Sequence, residues 1–360
     1  MEPLKEMFNA AYFKRLAAAI KSVYPAFKAD EFFKHVTGNL EALSLNERMR
    51  ATSNVLHLYL PSTYNKALDI LLDAAPKAPG GYTALVFPDF VAQYGLHDFK
   101  RSLKALEFFT TLGSSEFGIR EFLKKDFDAC MPNLLQWSQH KNEHVRRLSS
   151  EGSRPRLPWS FKLDRVIEEP QTTAKILRQL NTDDSLYVRK SVANHLNDIS
   201  KDNSAYLLNE LGSWSQEHVH TAWIIKHATR TLVKKGDAGT LSLLKYEKKV
   251  AGGIRNLKMP KTIRLGEKLN FEFELYSTKN KNQKLVVDYR LHYQKQNGLI
   301  SAKVFKLKNC ELKPKESLLI KGSQTIKDFS TRKHYPGLHK IEFLVNGNVM
   351  AQAEFNLRMK

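Results

Sequence analysis

The sequence predicts a multidomain protein in which an all-α region is followed by an all-β sandwich. Its 360 residues exceed the size of one typical core. Apolar residues recur at helical spacing up to about Lys249 and then alternate along short segments to the end of the chain. We therefore predict a helical domain over residues 1–250 and a sandwich domain over residues 251–360.

The helical part consists of amphipathic segments that repeat. YFKRLAAAIKSVY, FFKHVTGNLEALSL and TLSLLKYEKKV place apolar residues three or four positions apart, as one face of a helix requires. VRRLSSEG begins at Val145, VRKSVANH begins 43 residues later at Val188, and IIKHATRTL begins a further 36 residues on, at Ile224. Such spacings are typical of stacked helix pairs of the HEAT kind, so we predict a HEAT-like repeat solenoid.

Each repeat is expected to bury one face and to present another to a shared concave groove. In the second copy, Val188, Val192, Leu196 and Ile199 form the stripe that we predict to be buried. The groove face is basic, aromatic and acidic. Its members are Tyr187, Ser191, Asn194 and Asp198 in the second copy, Arg147 and Glu151 in the first, and Trp223, Arg230 and Lys234 in the third.

The C-terminal part alternates apolar and polar residues in six segments separated by Gly, Asn, Lys and Pro turns. Six or seven short strands in about a hundred residues are typical of an immunoglobulin-like sandwich. The segments are LNFEFELYS, KLVVDYRLHYQ, AKVFKLKN, SLLIKGS, HKIEFLVNG and VMAQAEFNL.

The charge of the chain indicates an anionic partner. Lys and Arg total 57 against 37 Asp and Glu, a formal net charge of +20. Nucleic acid is the first candidate and an anionic membrane surface the second. Residues 258–360 contain 21 Lys and Arg and 9 Asp and Glu, so the sandwich carries more than half of the surplus. Solvated strand faces and lysines that protect sheet edges are the alternative explanation.

The two cysteines, Cys130 and Cys310, are too far apart in the sequence to suggest a disulfide framework. We expect Cys130 to pack within a helix and Cys310 to lie in a strand. The N-terminal MEPLKEMFNA has acidic residues where a signal peptide needs a basic and then an apolar region, and no uncharged apolar run approaches a membrane span. These features favour a soluble, cytoplasmic protein.

One acid stands among guanidiniums in VRRLSSEGSRPRLPWS, where Glu151 is close in sequence to Arg146, Arg147, Arg154 and Arg156. A surface that only gripped phosphates would bind them better without this carboxylate. An i,i+4 surface ion pair with Arg147 would be an ordinary explanation for Glu151, and solvation near a helix end would be one for Asp198. The matching positions of the two acids in adjacent repeats favour a functional role.

Two other functions are compatible with parts of the sequence. HKNEH, at residues 140–144, formally matches a zinc peptidase pattern, but it falls at the predicted turn before the Val145 helix and has no convincing third ligand downstream. A non-catalytic scaffold that binds nucleic acid or protein would explain the charge and the repeats, but not the acids in the groove.

Four segments, SSEFGIREF, HVRRLSSEGSRPRLPWS, YVRKSVANHLNDISKDN and HATRTLVKKGD, followed by a sandwich, resemble the AlkC alkylpurine DNA glycosylases of the HEAT-like repeat superfamily. The resemblance covers essentially the whole chain. It implies hydrolysis of the N-glycosidic bond of cationic N-alkylated bases, such as 3-methyladenine and 3-methylcytosine, without deep base flipping. It also implies double-stranded DNA containing alkylated bases as the substrate, and it implies no metal or redox cofactor. We further expect a monomer.

By position, the resemblance implies catalytic roles for Asp198, Glu151 and Glu116, with Asp198 ranked first as the residue that orients water. Carboxylates near the sugar would stabilise the positive charge that develops there as the bond breaks. Further residues are expected to contact DNA. They are Arg147 and Trp159, which the resemblance implies, and Arg154, Arg156, Arg189, Asn194, Trp223, Arg230 and Lys234.

Overall fold

A computed structural model describes residues 3–247, 249–329 and 333–359. Within these ranges the chain forms sixteen α-helices followed by eight β-strands, which confirms the predicted fold class. The helices are α1 Ala10–Val23, α2 Ala29–Thr37, α3 Leu45–Tyr59, α4 Tyr64–Ala74, α5 Val86–Tyr94, α6 Phe99–Phe109, α7 Gly118–Lys125, α8 Phe127–Trp137, α9 Glu143–Gly152, α10 Asp164–Glu168, α11 Ala174–Gln179, α12 Leu186–Ile199, α13 Ser204–Gly212, α14 Val219–Ala228, α15 Arg230–Lys235 and α16 Ala238–Leu243. Short 3-10 turns lie at Leu4–Met7, Leu40–Ala42, Ala75–Lys77, Gly81–Leu85 and Pro170–Thr173.

The three copies of the sequence repeat form helices that pack side by side. Helix α12 contacts both α9 and α14, so the three copies follow one another in space as they do along the chain. The predicted stripe of α12, from Val188 to Ile199, is buried as expected. Burial of one apolar stripe per helix is what holds such a stack together.

Two predicted helical segments are interrupted. FFKHVTGNLEALSL has helical spacing, but α2 ends at Thr37 and α3 begins at Leu45, where Ser44 and Glu47 form a capping box that starts a new helix. TLSLLKYEKKV was also expected to be helical. Helix α16 instead ends at Leu243, and Lys245 adopts a left-handed backbone conformation with a φ of 61°.

The strands are β1 Gly252–Lys258, β2 Thr262–Arg264, β3 Lys268–Ser277, β4 Gln283–Gln294, β5 Ile300–Leu312, β6 Ser317–Thr325, β7 Gly337–Val345 and β8 Asn348–Arg358. They form a three-stranded sheet in the order β1-β3-β6 and a five-stranded sheet in the order β2-β8-β7-β4-β5. The pairs are antiparallel except β2 with β8, which is parallel. Cys310 lies in β5, and Cys130 is buried in α8, as predicted.

The sandwich core follows directly from the alternation of the sequence. Alternate residues of β3, among them Phe271 and Phe273, are buried, and both rings meet Phe343 of the other sheet at centroid distances of 5.0 and 4.9 Å. The six predicted segments all form strands, whereas β1 and β2 were missed. A bulge at Asn256, which has a φ of 56°, breaks the alternation in β1, and β2 has only three residues.

The described chain divides into two compact units, Met1–Asn203 with Ser215–Ala228, and Ser204–Trp214 with Thr229–Lys360. The second unit includes three helices as well as the sandwich. The boundary between domains near residue 250 stays a prediction. Within this unit, Gly236 at the end of α15 and Gly347 in the β7–β8 turn lie back to back with positive φ values of 71° and 79°. Asn346 donates its side-chain amide to the Glu247 carbonyl at 2.8 Å in the same contact.

Within the described ranges, no helix is long and apolar enough to cross a membrane.

The glycine pair predicts a specific stability effect. A Cβ at Gly347 would overlap the Cα of Gly236 and would also require a left-handed backbone of an alanine. We expect Gly347→Ala to lower the free energy of unfolding by about 2–4 kcal/mol, measured by chemical denaturation. Gly298→Ala is the matched control, since Gly298 has a φ of 75° but open space around it; this change should cost only about 1 kcal/mol. Equal losses for the two variants would contradict the packing argument.

Candidate active site

The predicted catalytic acids converge in the first unit. Glu116 lies just before α7, Glu151 in the last turn of α9 and Asp198 in the last turn of α12. The contact of α9 with α12 brings the last two together, although they are 47 positions apart in the sequence. The structure therefore groups all three carboxylates around a shared set of guanidiniums.

Arg147 links the first two acids. Its Nη1 lies 2.7 Å from Glu116 Oε2, and its Nη2 lies 3.6 Å from Glu151 Oε1. The guanidinium also lies over the ring of Tyr187, 4.6 Å from its centroid. Glu116 is held further by the Ser114 hydroxyl, which donates to Oε2 at 2.9 Å. The Arg147 head group is thus enclosed by two carboxylates and an aromatic face.

Arg154 links Glu151 to Asp198. It donates from Nη1 to Glu151 Oε1 at 2.6 Å and from Nε to Asp198 Oδ2 at 2.8 Å. Its Nη2 also lies 2.7 Å from Asp198 Oδ2, and the residue is only 7% exposed. Lys201 donates to the other oxygen of Asp198 at 2.8 Å. We call the alternating series Glu116, Arg147, Glu151, Arg154 and Asp198 the ion chain.

The ion chain favours the charged forms of Glu151 and Arg154 despite their burial. Burial raises the pKa of Glu151, but Arg147 and Arg154 outweigh it and hold that pKa below its ordinary value. Burial likewise lowers the pKa of Arg154, and the two carboxylates more than reverse this shift. Because opposite charges at hydrogen-bond distance favour the ionised forms, Glu151 is a carboxylate at neutral pH.

The burial of the two acids changes the ordinary explanations for them, although the predicted pairing of Glu151 with Arg147 is present. Asp198 is 2% exposed and bonded to two cations, so it is not a solvated acid at a helix end. Glu151 does lie near Arg147, but it is buried and its shorter contact is to Arg154. The acid among the arginines is therefore the centre of a buried network.

Arg120 holds the loop after α9 in place through hydrogen bonds to its backbone carbonyls. This fully buried guanidinium donates from Nη1 to the carbonyls of Gly152 at 3.0 Å and Arg154 at 2.7 Å, and from Nη2 to the Phe161 carbonyl. Burial, with repulsion from Arg154, lowers the pKa of Arg120 to about 10, which leaves it protonated at neutral pH. Arg120 thereby fixes the position of Arg154 and both ends of the loop.

Trp159 projects from this pinned loop. It is 65% exposed and has a φ of 63°, a conformation that non-glycine residues rarely adopt. It lines a cavity of about 400 Å³ whose other walls include Phe117, Phe161 and Glu121. A packed loop aromatic would be buried, so the ring is available for contact with a partner.

The remaining residues predicted to contact DNA differ in their partners and in the element or unit to which they belong. Arg156 makes a bidentate pair with Asp202, at 2.8 and 2.7 Å. Arg189 donates to the carbonyls of Asp183 and Asp184, both at 2.8 Å, and lies 5.9 Å from the Trp223 ring centroid. Asn194 is partly buried in α12, one helix of the same unit. Arg230 and Lys234 belong to the second unit, and their contact with DNA stays a prediction.

Three residues of the site were not predicted as such. Tyr187 was placed on the groove face but not named among the site residues, and Lys201 and Arg120 were not singled out. Lys201 follows Asp198 by three residues at the helix end, a spacing that the sequence displays. Arg120 left no signal, since a buried arginine that binds loop carbonyls looks in sequence like any charged helical residue.

His195 links α12 to α9 next to the ion chain. It is fully buried on α12, where Nδ1 lies 2.9 Å from the Ser150 carbonyl and Nε2 lies 3.2 Å from the Thr173 hydroxyl. A carbonyl only accepts, so Nδ1 carries the proton and Nε2 accepts from Thr173. Burial lowers the pKa of His195 to about 4. The neutral ring thus ties α12 to the residue next to Glu151.

The side chains of HKNEH contact their own turn, Ser185 and Tyr187. The Asn142 amide donates to His140 Nδ1 at 3.0 Å, and Glu143 accepts a hydrogen bond from the Ser185 hydroxyl. His144 packs edge-on against the Tyr187 ring. In the part of the chain that the structure describes, no three His, Cys, Asp or Glu side chains cluster as metal ligands would.

Known proteins resemble the chain over its full length. A family model described as the C-terminal Ig-like domain of the uncharacterised protein YhaZ matches residues 253–359. The uncharacterised protein YhaZ of Bacillus subtilis (strain 168) is 43% identical over 361 residues, spanning 99% of this chain and 100% of that protein. The structure of Pseudomonas fluorescens alkylpurine DNA glycosylase AlkC, bound to DNA containing an abasic site analogue, is 48% identical, with a TM-score of 0.96 over 99% of this chain and 100% of that chain.

The buried His195 predicts a pH dependence of stability. Its pKa is about 4 in the folded chain and about 6.5 when unfolded, so between these values only the unfolded chain binds the proton. The free energy of unfolding should therefore fall by about 3 kcal/mol as the pH decreases from about 6.5 to about 4 through this group alone. His195→Gln should lack this contribution. The difference in unfolding free energy between wild type and this variant should therefore become smaller toward low pH. A difference that is constant with pH would contradict the assignment.

Proposed function

The chain belongs to the AlkC family of alkylpurine DNA glycosylases, and on this premise we propose that it excises cationic N-alkylated bases, such as 3-methyladenine and 3-methylcytosine, from double-stranded DNA. The bond that breaks is the N-glycosidic bond, and water supplies the hydroxyl group that the sugar gains. The observation that carries the proposal is the pair of buried carboxylates, Glu151 and Asp198, held by the one guanidinium of Arg154.

The chemistry explains why ionised acids are needed. An alkylated base is cationic and already a good leaving group, so protonation of the base contributes little. The barrier lies in the positive charge that develops on the deoxyribose as the base departs. A carboxylate held ionised near that sugar stabilises the oxocarbenium-like state, and it can also orient the attacking water.

We assign Asp198 the role of orienting water, with Glu151 and Glu116 supporting the charge on the sugar. Arg147 and Arg154 then act as positioning residues, because each is enclosed by carboxylates. Arg147 and Arg154 therefore have carboxylate partners inside the protein. That they also bind phosphates stays a prediction. The exposed Trp159 is proposed to contact a sugar or base directly, so that the duplex need not turn the base into a deep pocket.

A non-catalytic nucleic-acid scaffold is the alternative function. Both functions account for the net charge of +20, but a scaffold has no use for buried acids beside a DNA-binding surface. The discriminating experiment incubates the purified protein with duplex DNA carrying methylated bases and identifies released bases by mass spectrometry. Free 3-methyladenine or 3-methylcytosine is expected, whereas binding without release would support the scaffold.

Asp198→Asn tests the assigned carboxylate. The amide keeps the shape but carries no charge, so single-turnover release should fall by about 10²–10³-fold while DNA affinity is unchanged or improved. Asp128→Asn removes the same charge at an exposed position of α8 and should release bases at the wild-type rate. Near-normal release by Asp198→Asn would remove Asp198 from the mechanism.

Arg154→Gln tests the positioning role. With this cation removed, the pKa of Glu151 should rise, because Arg154 is one of the two arginines that lower it in the wild type. The wild-type release rate should stay level between about pH 8 and about pH 5.5, and that of the variant should fall as the pH decreases.

Loss of a partner from a buried ion pair also destabilises a protein, by about 3–5 kcal/mol. Arg154→Lys therefore provides a second variant, since it keeps the charge. It should retain the level pH profile even if its rate is lower. The same level profile in a folded Arg154→Gln protein would show that Arg154 does not set the ionisation of the acids.

A further inference from the structure

Lys201 binds the oxygen of Asp198 that Arg154 does not hold. Its Nζ donates to Oδ1 at 2.8 Å. The other oxygen, Oδ2, lies 2.8 Å from Arg154 Nε and 2.7 Å from Arg154 Nη2. The Asp198 side chain is 3% exposed, whereas the Lys201 side chain is 44% exposed. The lysine therefore reaches a buried carboxylate from the surface of the protein.

The two cations on Asp198 differ in how firmly they are held. Arg154 is buried and also binds Glu151, and Arg120 fixes its backbone carbonyl. Lys201 follows the end of α12 and carries its ammonium on a flexible stem at the surface. An ion pair with an exposed lysine is weak, because water and salt compete for the ammonium. Of the two cations, the lysine is the one that can leave.

Lys201 also changes the charge of the site. The ion chain contains three carboxylates and two guanidiniums, which give a formal charge of −1. The Lys201 ammonium brings this charge to zero. Without the lysine, the site would repel the phosphates that it has to approach; with the lysine in place, it stabilises a positively charged sugar less well. Each fixed arrangement serves one of these requirements at the expense of the other.

Further cations lie around Lys201. Hydrogen bonds from Arg156 lower the pKa of the neighbouring Asp202 carboxyl, and the charges of Arg156, Lys162 and Lys201 lower it further. Lys162 is exposed, as is Lys201. Asp164 lies close enough to interact with Arg156, so three cations accompany two acids at this edge of the site. A positive surplus at the surface beside Asp198 suits a phosphate of the DNA backbone.

We propose that Lys201 is a positioning residue that acts through Asp198: its ammonium neutralises Asp198 in the free protein and moves to a backbone phosphate when DNA binds. The transfer leaves Oδ1 of Asp198 able to accept a hydrogen bond from the attacking water, and it returns the ion chain to a formal charge of −1 beside the sugar. The ammonium has an anionic partner before and after the move, which keeps the cost of the exchange small. This inference rests on the proposed function, which supplies both the DNA and the reacting sugar.

Lys201→Met removes the ammonium and keeps an apolar stem. On undamaged duplex, the slope of log affinity against log salt concentration should become shallower by about one unit, because one phosphate contact is lost. Single-turnover base release at saturating protein should stay within about threefold of wild type or exceed it, since Oδ1 is then free. Lys201→Arg should restore the slope. Lys175→Met removes an exposed lysine from α11 and should match wild type in both measurements.

A double-mutant cycle of binding tests the exchange of partners itself. Asp198→Asn frees the lysine in advance, because an amide holds an ammonium more weakly than a carboxylate does. In that background, Lys201→Met should weaken binding to undamaged duplex at least about threefold more than it does in the wild type, since no carboxylate then competes with the phosphate. Equal losses in the two backgrounds would show that Lys201 does not exchange Asp198 for DNA.

An unchanged salt slope in Lys201→Met would overturn the proposal. Slower release with that unchanged slope would show that the lysine stays on Asp198 and only holds it in place. Release more than about threefold slower at saturating protein would also overturn the proposal, because the ammonium would then be needed during the reaction. Failure of the proposed function is distinguishable, since it would appear as absent base release by the wild type, whereas the salt slope and the binding cycle are measured on undamaged duplex.

Discussion

The site depends on one electrostatic constraint, the burial of the Arg154 guanidinium between two carboxylates. A charge taken out of water costs several kcal/mol unless opposite charges at hydrogen-bond distance replace the solvent. Arg154, Glu151 and Asp198 satisfy one another in this way at 2.6–2.8 Å. Replacing such a network by apolar side chains is often neutral or stabilising, so net stability does not explain why it exists. The proposed mechanism does explain it, because two acids held in fixed positions by one cation are suited to stabilise positive charge on a sugar.

The helical stack provides the rigidity that this constraint demands. Contact between α9 and α12 sets the spacing of Glu151 and Asp198, and His195 ties these two helices together below them. Arg120 fixes the loop that carries Arg154 by binding its carbonyls. Small errors in such positions are costly in catalysis, since electrostatic stabilisation depends on charges that are already in place.

The sequence was sufficient for the architecture and for the placement of Glu151 and Asp198 on neighbouring helices. Period 3.6 and period 2 patterns separate the helices from the strands, and matched repeats place Glu151 and Asp198 on adjacent helices. It was insufficient where a side chain acts through tertiary contacts. The arginines near Glu151 suggest phosphate binding when only their charge is known, and the enclosure of Arg154 by carboxylates depends on a contact across 44 residues. Strand β1 was missed because its bulge removes the alternation that identifies a strand.

The central claim is that Glu151 and Asp198 act as one unit joined by Arg154. It is tested most directly by a double-mutant cycle of single-turnover base release with Glu151→Gln, Asp198→Asn and the combined variant. Residues that act as a unit have strongly non-additive effects. We expect the combined variant to be no more than about tenfold slower than the slower single variant. Rate losses that multiply would contradict the claim and would indicate two carboxylates that work independently.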